Sequence, residues 1–435
     1  MKLSPFVFKY DVDENAICLY HSITLKKVFL SVPEYLDLLR DIGRDDKTDN
    51  VIKLKNLKFV VEDNYNHKEA LAKVFDKLGT KEPTPSLSYF ILTDSCNFRC
   101  SYCFIENALN KTGHNMTQKQ ADEAVGVIIN NSKATSSYGI NFYGGEPLLN
   151  FEVMKHIVQR LETADKNKFQ FTVVTNGSMI TDEISKYLEL HKFGVGLSLD
   201  GWAPLDNLRV YPDGKGTFYD ALKGLALLKK YGVKTSISCT VNKYNYQHLT
   251  EIVDFFSNLG VGISFNIILD KLGRSYSVDD PTALSKALFS AFSRASELGI
   301  LEDRIGRRRA EPFFTEIPRL YDCPAYGQQI FFSPKGTLGP CQAFYTTELY
   351  QEKITPDFDA KKSDVLYPFI KMGGPFKSDY CTECPAIGIC GGSCPYDVYT
   401  ITGKLGFIDP YFCSIMKETL NNLIGYYYKQ KVKSQ

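Results

Sequence analysis

The sequence has almost no charge bias. Lys plus Arg total 51 against 50 Asp plus Glu, a net charge of +1, which argues against a broad nucleic-acid-binding surface. Long apolar runs are also missing. Stretches such as Ile263 to Leu269 fall far short of the ~20 residues a membrane helix needs, so neither nucleic acid nor membrane is an expected partner. Met1 to Tyr10 lacks the basic region and apolar core of a signal peptide, and the expected location is cytoplasmic. No internal repeat recurs at a fixed period. With 44% hydrophobic and 23% charged residues over 435 positions, the chain is not disordered and has room for two or three domains.

Cysteine is what the chain has in abundance. Three of its twelve cysteines lie between Cys96 and Cys103, and seven between Cys323 and Cys413; only Cys18 and Cys239 stand apart. A disulfide scaffold would be short and loop-rich, so paired Cys-x-x-Cys spacings in a long chain point to thiolate-bound metal.

Residues 1–83 read as a small α+β unit. Phe6 to Tyr10, Ala16 to Tyr20 and Lys27 to Leu30 suggest strands, Ser31-Val32-Pro33 opens a helix, and a second helix spans His67 to Leu78. Lys81 to Pro85 has the stiffness of a linker. From 84 to 270, six apolar runs alternate with five helical stretches. Such repeated strand–helix units imply a parallel sheet, here a partial (β/α)6 barrel with its active face at the strand ends. Residues 271–320 read as a bridging helical region whose basic run, Arg304 to Arg309, is expected to be a solvated face. Residues 321–435 are cysteine- and glycine-rich and end in a helix.

The first cluster, Cys96-x3-Cys100-x2-Cys103, follows the first barrel strand. Three thiolates can hold a four-iron cubane with one iron left open, whereas structural zinc prefers four closed ligands. The next conceivable ligand is His114; spacing alone leaves both metals open.

This motif resembles the signature of the radical S-adenosylmethionine (SAM) superfamily. Gly144-Gly145-Glu146-Pro147 after the second strand resembles that family's SAM-binding motif. Glycines there would admit a close backbone approach to the ligand, and the carboxylate would pair with the methionine ammonium. The resemblance carries cofactor contacts onto Asn176 after the third strand, Ser198 and Asp200 at the end of the fourth, Arg209 toward the SAM carboxylate, and Phe104 beside the adenine. Arg209 has an equally simple reading as a surface ion-pair residue.

Cys323-x12-Gly336-x4-Cys341, Cys381-x2-Cys384-x5-Cys390-x3-Cys394 and Cys413 resemble the seven-cysteine SPASM pattern. The resemblance implies two auxiliary four-iron clusters, an outer one on Cys381, Cys384, Cys390 and Cys413 and an inner one on Cys323, Cys341 and Cys394. The expected cofactors are therefore three [4Fe-4S] clusters and SAM, served by an electron donor such as flavodoxin or ferredoxin. The resemblance further implies that SAM is cleaved to methionine and a 5′-deoxyadenosyl radical, which takes hydrogen from a substrate.

SPASM enzymes mostly modify peptides. The first 83 residues are similar to the small winged-helix-like domains that recognise a leader peptide by strand addition. The expected function is therefore crosslinking of a ribosomally made precursor peptide, as a thioether or next as a carbon–carbon bond. An anaerobic sulfatase maturase is the alternative, although such enzymes carry Asp where this chain has Gln342. A non-catalytic metal-stabilised scaffold is the other.

Overall fold

The computed structural model describes residues 1–103, 105, 113–133, 135–268, 276–406 and 408–433. The chain opens with β1 (Lys2–Leu3), β2 (Val7–Asp11), β3 (Ala16–His21) and β4 (Lys27–Ser31). α1 (Val32–Arg44), α2 (Asp49–Asn56), β5 (Val60–Val61) and α3 (His67–Leu78) follow. β2, β3 and β4 form an antiparallel meander, and β1 pairs with β5. Ser31 starts α1 with a capping box: its hydroxyl accepts the Glu34 N–H while Glu34 reaches back to the Ser31 N–H.

The central region alternates as read. It runs β6 (Leu87–Thr93), α4 (Gln118–Asn131), β7 (Tyr138–Gly144), α5 (Phe151–Ala164), β8 (Phe169–Thr175) and α6 (Asp182–Leu190). It continues through β9 (Gly194–Ser198), α7 (Phe218–Lys230), β10 (Lys234–Val241), α8 (Leu249–Asn258) and β11 (Gly262–Ile267). These six strands pair in parallel and in chain order. Thr117 and Thr181 cap α4 and α6 as expected. Asn150 and Thr217 make no cap bond. The Asn150 amide instead donates to the carbonyls of Leu92 and Met116, clamping the end of β6.

The sheet does not stop at six strands. After α9 (Pro281–Glu297) and α10 (Glu311–Thr315) come β12 (Gln329–Phe332), β13 (Thr337–Gly339) and β14 (Glu352–Lys353). β12 adds in parallel beside β6, and β13 and β14 extend it antiparallel, giving a nine-stranded, mostly parallel sheet in a mixed α/β fold. The sequence reading missed these strands because they are short and lie among cysteines and glycines. α11 (Tyr367–Met372), α12 (Ile387–Cys390), α13 (Pro395–Thr402) and α14 (Pro410–Lys433) complete the chain. Among the described residues, no helix is long and apolar enough to cross a membrane.

Two expectations are corrected. The segment 81–85 is no free spacer: Pro83 and Pro85 are buried, and the Thr84 and Ser86 N–H groups donate to Gly327 and Gln328, laying this stretch beside the start of β12. Nor is the arginine run a solvated face. Asp303–Ala310 is a π-helical segment in which Arg309 is only 1% exposed. A guanidinium at the buried position is stable only because a carboxylate meets it there, and no local pattern reveals that distant partner.

Residues 1–83 pack on the C-terminal cysteine region. Cys18, Tyr20 and Leu25 share a core with Phe313, Ile389 and α14, which also reaches Cys384 and Cys390. Phe6, Ile23, Leu71 and Phe75 share another with Leu320, Phe376 and Ile387. Contact is so close at Gly388 that a Cβ there would lie 2.3 Å from the Ser22 carbonyl oxygen.

Candidate functional site

The loop after β6 carries Cys96, Cys100 and Cys103, and its ends are pinned. Asp94, wholly buried, accepts hydrogen bonds from the Tyr345 hydroxyl (2.7 Å) and the His114 backbone N–H (2.5 Å). His114 Nδ1 also lies 3.0 Å from Asp94, so this histidine is engaged by Asp94. The Arg99 guanidinium donates to the carbonyls of Cys96 and Phe98 at 2.7 Å. The Arg99 and Ser101 N–H groups donate to Val210 and Leu208, tying the loop to the segment after β9. The Cys96 sulfur accepts the Phe98 N–H at 3.3 Å and the Asn176 amide at 3.9 Å.

The end of β7 lies against this loop. A Cβ on Gly144, whose φ is +135°, would meet the Thr93 carbonyl oxygen at 2.2 Å, and one on Gly145 would meet the Ser95 oxygen at 2.0 Å. The glycines therefore permit a close approach of backbone to backbone at this strand end. Pro147 begins the following 3-10 turn and is buried. The Glu146 carboxylate is fully buried and accepts from Thr175 Oγ1 (2.7 Å), Asn176 N (2.9 Å) and Leu148 N (3.1 Å). Those donors leave a single lone-pair position for a ligand ammonium. Burial raises its pKa to about 7 despite the three donors.

The end of β9 builds a buried charge network. Asp200 is wholly buried and accepts from Tyr102 (2.5 Å), the Thr240 N–H (2.8 Å) and Arg209 Nη2 (3.1 Å). Arg209 is buried too, which removes its reading as a surface residue. Burial works against its charge, but Asp200 and Tyr102 outweigh that. Arg209 Nε and one oxygen of Asp206 are buried without a hydrogen-bond partner among the described residues. Burial, then the charge of Asp200, raises Asp206 to about 8. Ser198 ends β9 and pairs with Ser238 of β10. Phe104 lies outside the described residues.

The cysteines fall into three groups, each within electrostatic reach of its own members. Burial, with added repulsion from neighbouring thiols, raises Cys96 to about 12 and Cys100 to about 11, and Cys103 acts on both. Burial likewise raises Cys323, next to Cys341 and Cys394. Cys413 rises to about 12 by burial and feels Cys381 and Cys384; Cys390 feels Cys384 and Cys413. Among the described residues, no three Cys, His, Asp or Glu side chains converge as ligands of a single ion would. The thiolates of a four-iron cluster each hold a different iron and need no such convergence. Thiols that burial keeps protonated are fit donors for iron, whose charge would release their protons.

Sequence reasoning missed Tyr102, Asn97 and Asp206. Tyr102 and Asn97 sit inside the cysteine motif as its variable positions; Asn97 accepts the Asn176 amide and donates to Ser178. Asp206, three residues before Arg209, carried an available i,i+3 signal. Cys239 is a buried strand thiol as read.

Residues 90–256 match the family model of the Radical SAM superfamily, whose members use a [4Fe-4S] cluster and SAM. The radical SAM cyclopropyl synthase TigE of Paramaledivibacter caminithermalis is 23% identical, over 97% of this chain and 95% of its own. The cysteine-type anaerobic sulfatase-maturating enzyme of Clostridium perfringens is 27% identical, over 71% of this chain and 89% of its own. Among solved structures, Streptococcus suis SuiB bound to its precursor peptide SuiA shares the fold, with a TM-score of 0.56 and 16% identity over 94% of this chain and 99% of that one. A second SuiB structure, bound to S-adenosylmethionine, gives a TM-score of 0.58. Residues 90–256 thus carry a Radical SAM domain, and the relatives that match well beyond it include a radical SAM cyclopropyl synthase and a sulfatase-maturating enzyme.

Proposed function

We propose that this chain closes a covalent crosslink in a ribosomally made precursor peptide. The observation that carries the reading is the sorting of ten cysteines into a set of three near Glu146 and Arg209, a second set of three, and a set of four. Cys96, Cys100 and Cys103 would hold the SAM-binding cluster, and Arg209, whose buried Nε makes no hydrogen bond among the described residues and lies 3.6 Å from Asp206, would take the SAM carboxylate. The backbone of Gly144 and Gly145 and the carboxylate of Glu146 would line the amino group, with Asn176, Ser198 and Asp200 at the neighbouring strand ends. Bound together, cluster and SAM supply a 5′-deoxyadenosyl radical that takes hydrogen from a substrate carbon. The auxiliary sets, in residues 321–435, would accept the electron released as the new bond closes.

Residues 1–83 would hold the precursor's leader. β4 is an edge strand of its meander and so offers the backbone groups that strand addition needs. This recognition unit would precede a barrel over 84–270 and a bridging region over 271–320. A flavodoxin or ferredoxin would deliver the first electron, in the cytoplasm.

Two products compete on separate observations. Cys323, Cys341 and Cys394 leave one iron's ligand to come from elsewhere, and a precursor cysteine is the fitting soft donor; this favours a thioether. Likeness to a cyclopropyl synthase along nearly the whole chain favours carbon–carbon closure. Formylglycine formation fits less well, because Gln342, where the sulfatase maturases carry Asp, is an amide hydrogen-bonded to Gln329 at 3.0 Å. The test is anaerobic turnover with reductant, SAM and the precursor peptide encoded nearest this gene. A mass loss of one hydrogen pair, with 5′-deoxyadenosine formed, is expected. A cysteine that no longer alkylates marks the thioether, and one that still does marks carbon–carbon closure. An unmodified peptide with no SAM cleavage would refute the proposal.

A further inference from the structure

Arg309 occupies an unusual position. Its Nη1 and Nη2 donate to the two oxygens of Asp322 at 2.9 and 2.8 Å, and Nη1 also approaches the Ile389 carbonyl at 3.4 Å. Its guanidinium carbon lies 5.9 Å from the centre of the Phe412 ring. Asp322, Ile389 and Phe412 are the residues immediately before Cys323, Cys390 and Cys413. One buried side chain thus touches the backbone neighbours of cysteines from both C-terminal sets. The Asp322 N–H donates to Gly391 at 2.8 Å, closing the same junction.

The surroundings are electropositive. Arg308 reaches Asp303 at 2.8 Å and Asp322 at 3.4 Å. Arg304 lies over the Phe412 ring at 6.0 Å, and Arg307 pairs with Asp303. Arg319 donates to the Arg307 carbonyl and has a buried Nε with no hydrogen-bond partner among the described residues. These five guanidiniums share three carboxylates, Glu302, Asp303 and Asp322, and Glu302 is already bonded to the backbone N–H groups of Arg304, Ile305 and Gly306. Asp322 is held well below the usual carboxylate range: burial opposes its charge, but Arg309 and then Arg308 and Arg304 overcome it.

We propose that Arg309 is the positioning residue that sets the reduction potential of the two auxiliary centres. The claim rests on the reading that Cys323, Cys341 and Cys394, and Cys381, Cys384, Cys390 and Cys413, hold iron–sulfur clusters. A thiolate-bound cluster is an anion, and taking up one electron adds one more negative charge. A buried cation at the junction, in surplus over its carboxylates, stabilises that reduced form through a low local dielectric. No bond forms or breaks; the electron comes from the substrate radical during turnover and from dithionite in the test.

The test uses the full chain with Cys96, Cys100 and Cys103 changed to Ala, so that auxiliary signals stand alone. Potentials are read by electron paramagnetic resonance during dithionite titration in three versions: unchanged, Arg309→Lys and Arg309→Gln. Equal iron content is expected in all. Arg309→Gln should disfavour reduction about tenfold, a negative shift of about 59 mV for a one-electron couple, with Arg309→Lys recovering most of it. Unchanged or more positive potentials at equal iron content overturn the proposal. Should Arg309→Gln lose iron, Arg308→Gln carries the test, because its side chain is 29% exposed and fixes less of the fold. A smaller shift of the same sign supports the proposal, and none overturns it. Absence of iron in the parent itself would sink the underlying cluster reading instead.

Discussion

The two cysteine regions are held by different means. Cys96, Cys100 and Cys103 lie on one loop, fixed by the ends of β6, β7, β8 and β9 through short hydrogen bonds. The C-terminal cysteines are gathered from Cys323 to Cys413 and depend on contacts with other parts of the chain: Arg309 on Asp322, Gly388 on Ser22, and the cores shared with residues 1–83. The first site is a property of the parallel sheet's strand ends, and the second a property of how the whole chain packs. Local damage should therefore separate them.

The largest effect should come from deleting residues 1–83. This would uncover Ile389, Phe313 and Leu420 around Cys384 and Cys390, so the outer cluster should be lost, about four irons per chain, with much of the protein insoluble. The motif at Cys96 follows β6 of the parallel sheet and should keep its iron in whatever remains soluble. Iron assay after size-exclusion chromatography measures this, and a truncated protein with its full iron and unchanged melting temperature would break the comparison.

Arg209→Leu is next. Removing this partner leaves the wholly buried Asp200 without its counter-charge, a cost of about 3–5 kcal/mol. Denaturant unfolding should report that loss, and calorimetry should show SAM binding abolished, while the auxiliary signals persist. Normal SAM affinity in this variant would remove Arg209 from the site.

The smallest effect concerns Glu146. Its folded pKa of about 7 is above the unfolded value near 4.3. Its contribution to stability is thus full below the unfolded value and lost as pH rises through the folded one. Between pH 6 and 8 the loss is about 1 kcal/mol, and it should vanish in Glu146→Gln. A pH profile shared by both proteins would show that Glu146 does not titrate in this range.

The parallel sheet was legible because each strand was a local apolar run, and the cysteine motif because its chemistry lies within eight consecutive residues, Cys96 to Cys103. Gly144 and Gly145 were found by their motif, but their packing against the Thr93 and Ser95 carbonyls was not, because those oxygens belong to a neighbouring strand end. Arg309 was misread because its partner Asp322 comes from another segment, and a charged run has no period that shows which member is buried. The docking of Lys81 to Pro85 and of β12 on β6 was missed because each depends on pairing across distant sequence, and β13 and β14 because they are only three and two residues long.

The measurement that bears most directly on the whole account is iron and acid-labile sulfide per chain, before and after Cys96, Cys100 and Cys103 are changed together to Ala. The account predicts about twelve irons falling to about eight, with SAM cleavage abolished and the auxiliary spectra unchanged. Stoichiometric zinc without labile sulfide, or loss of all iron on removing the first set alone, would contradict it.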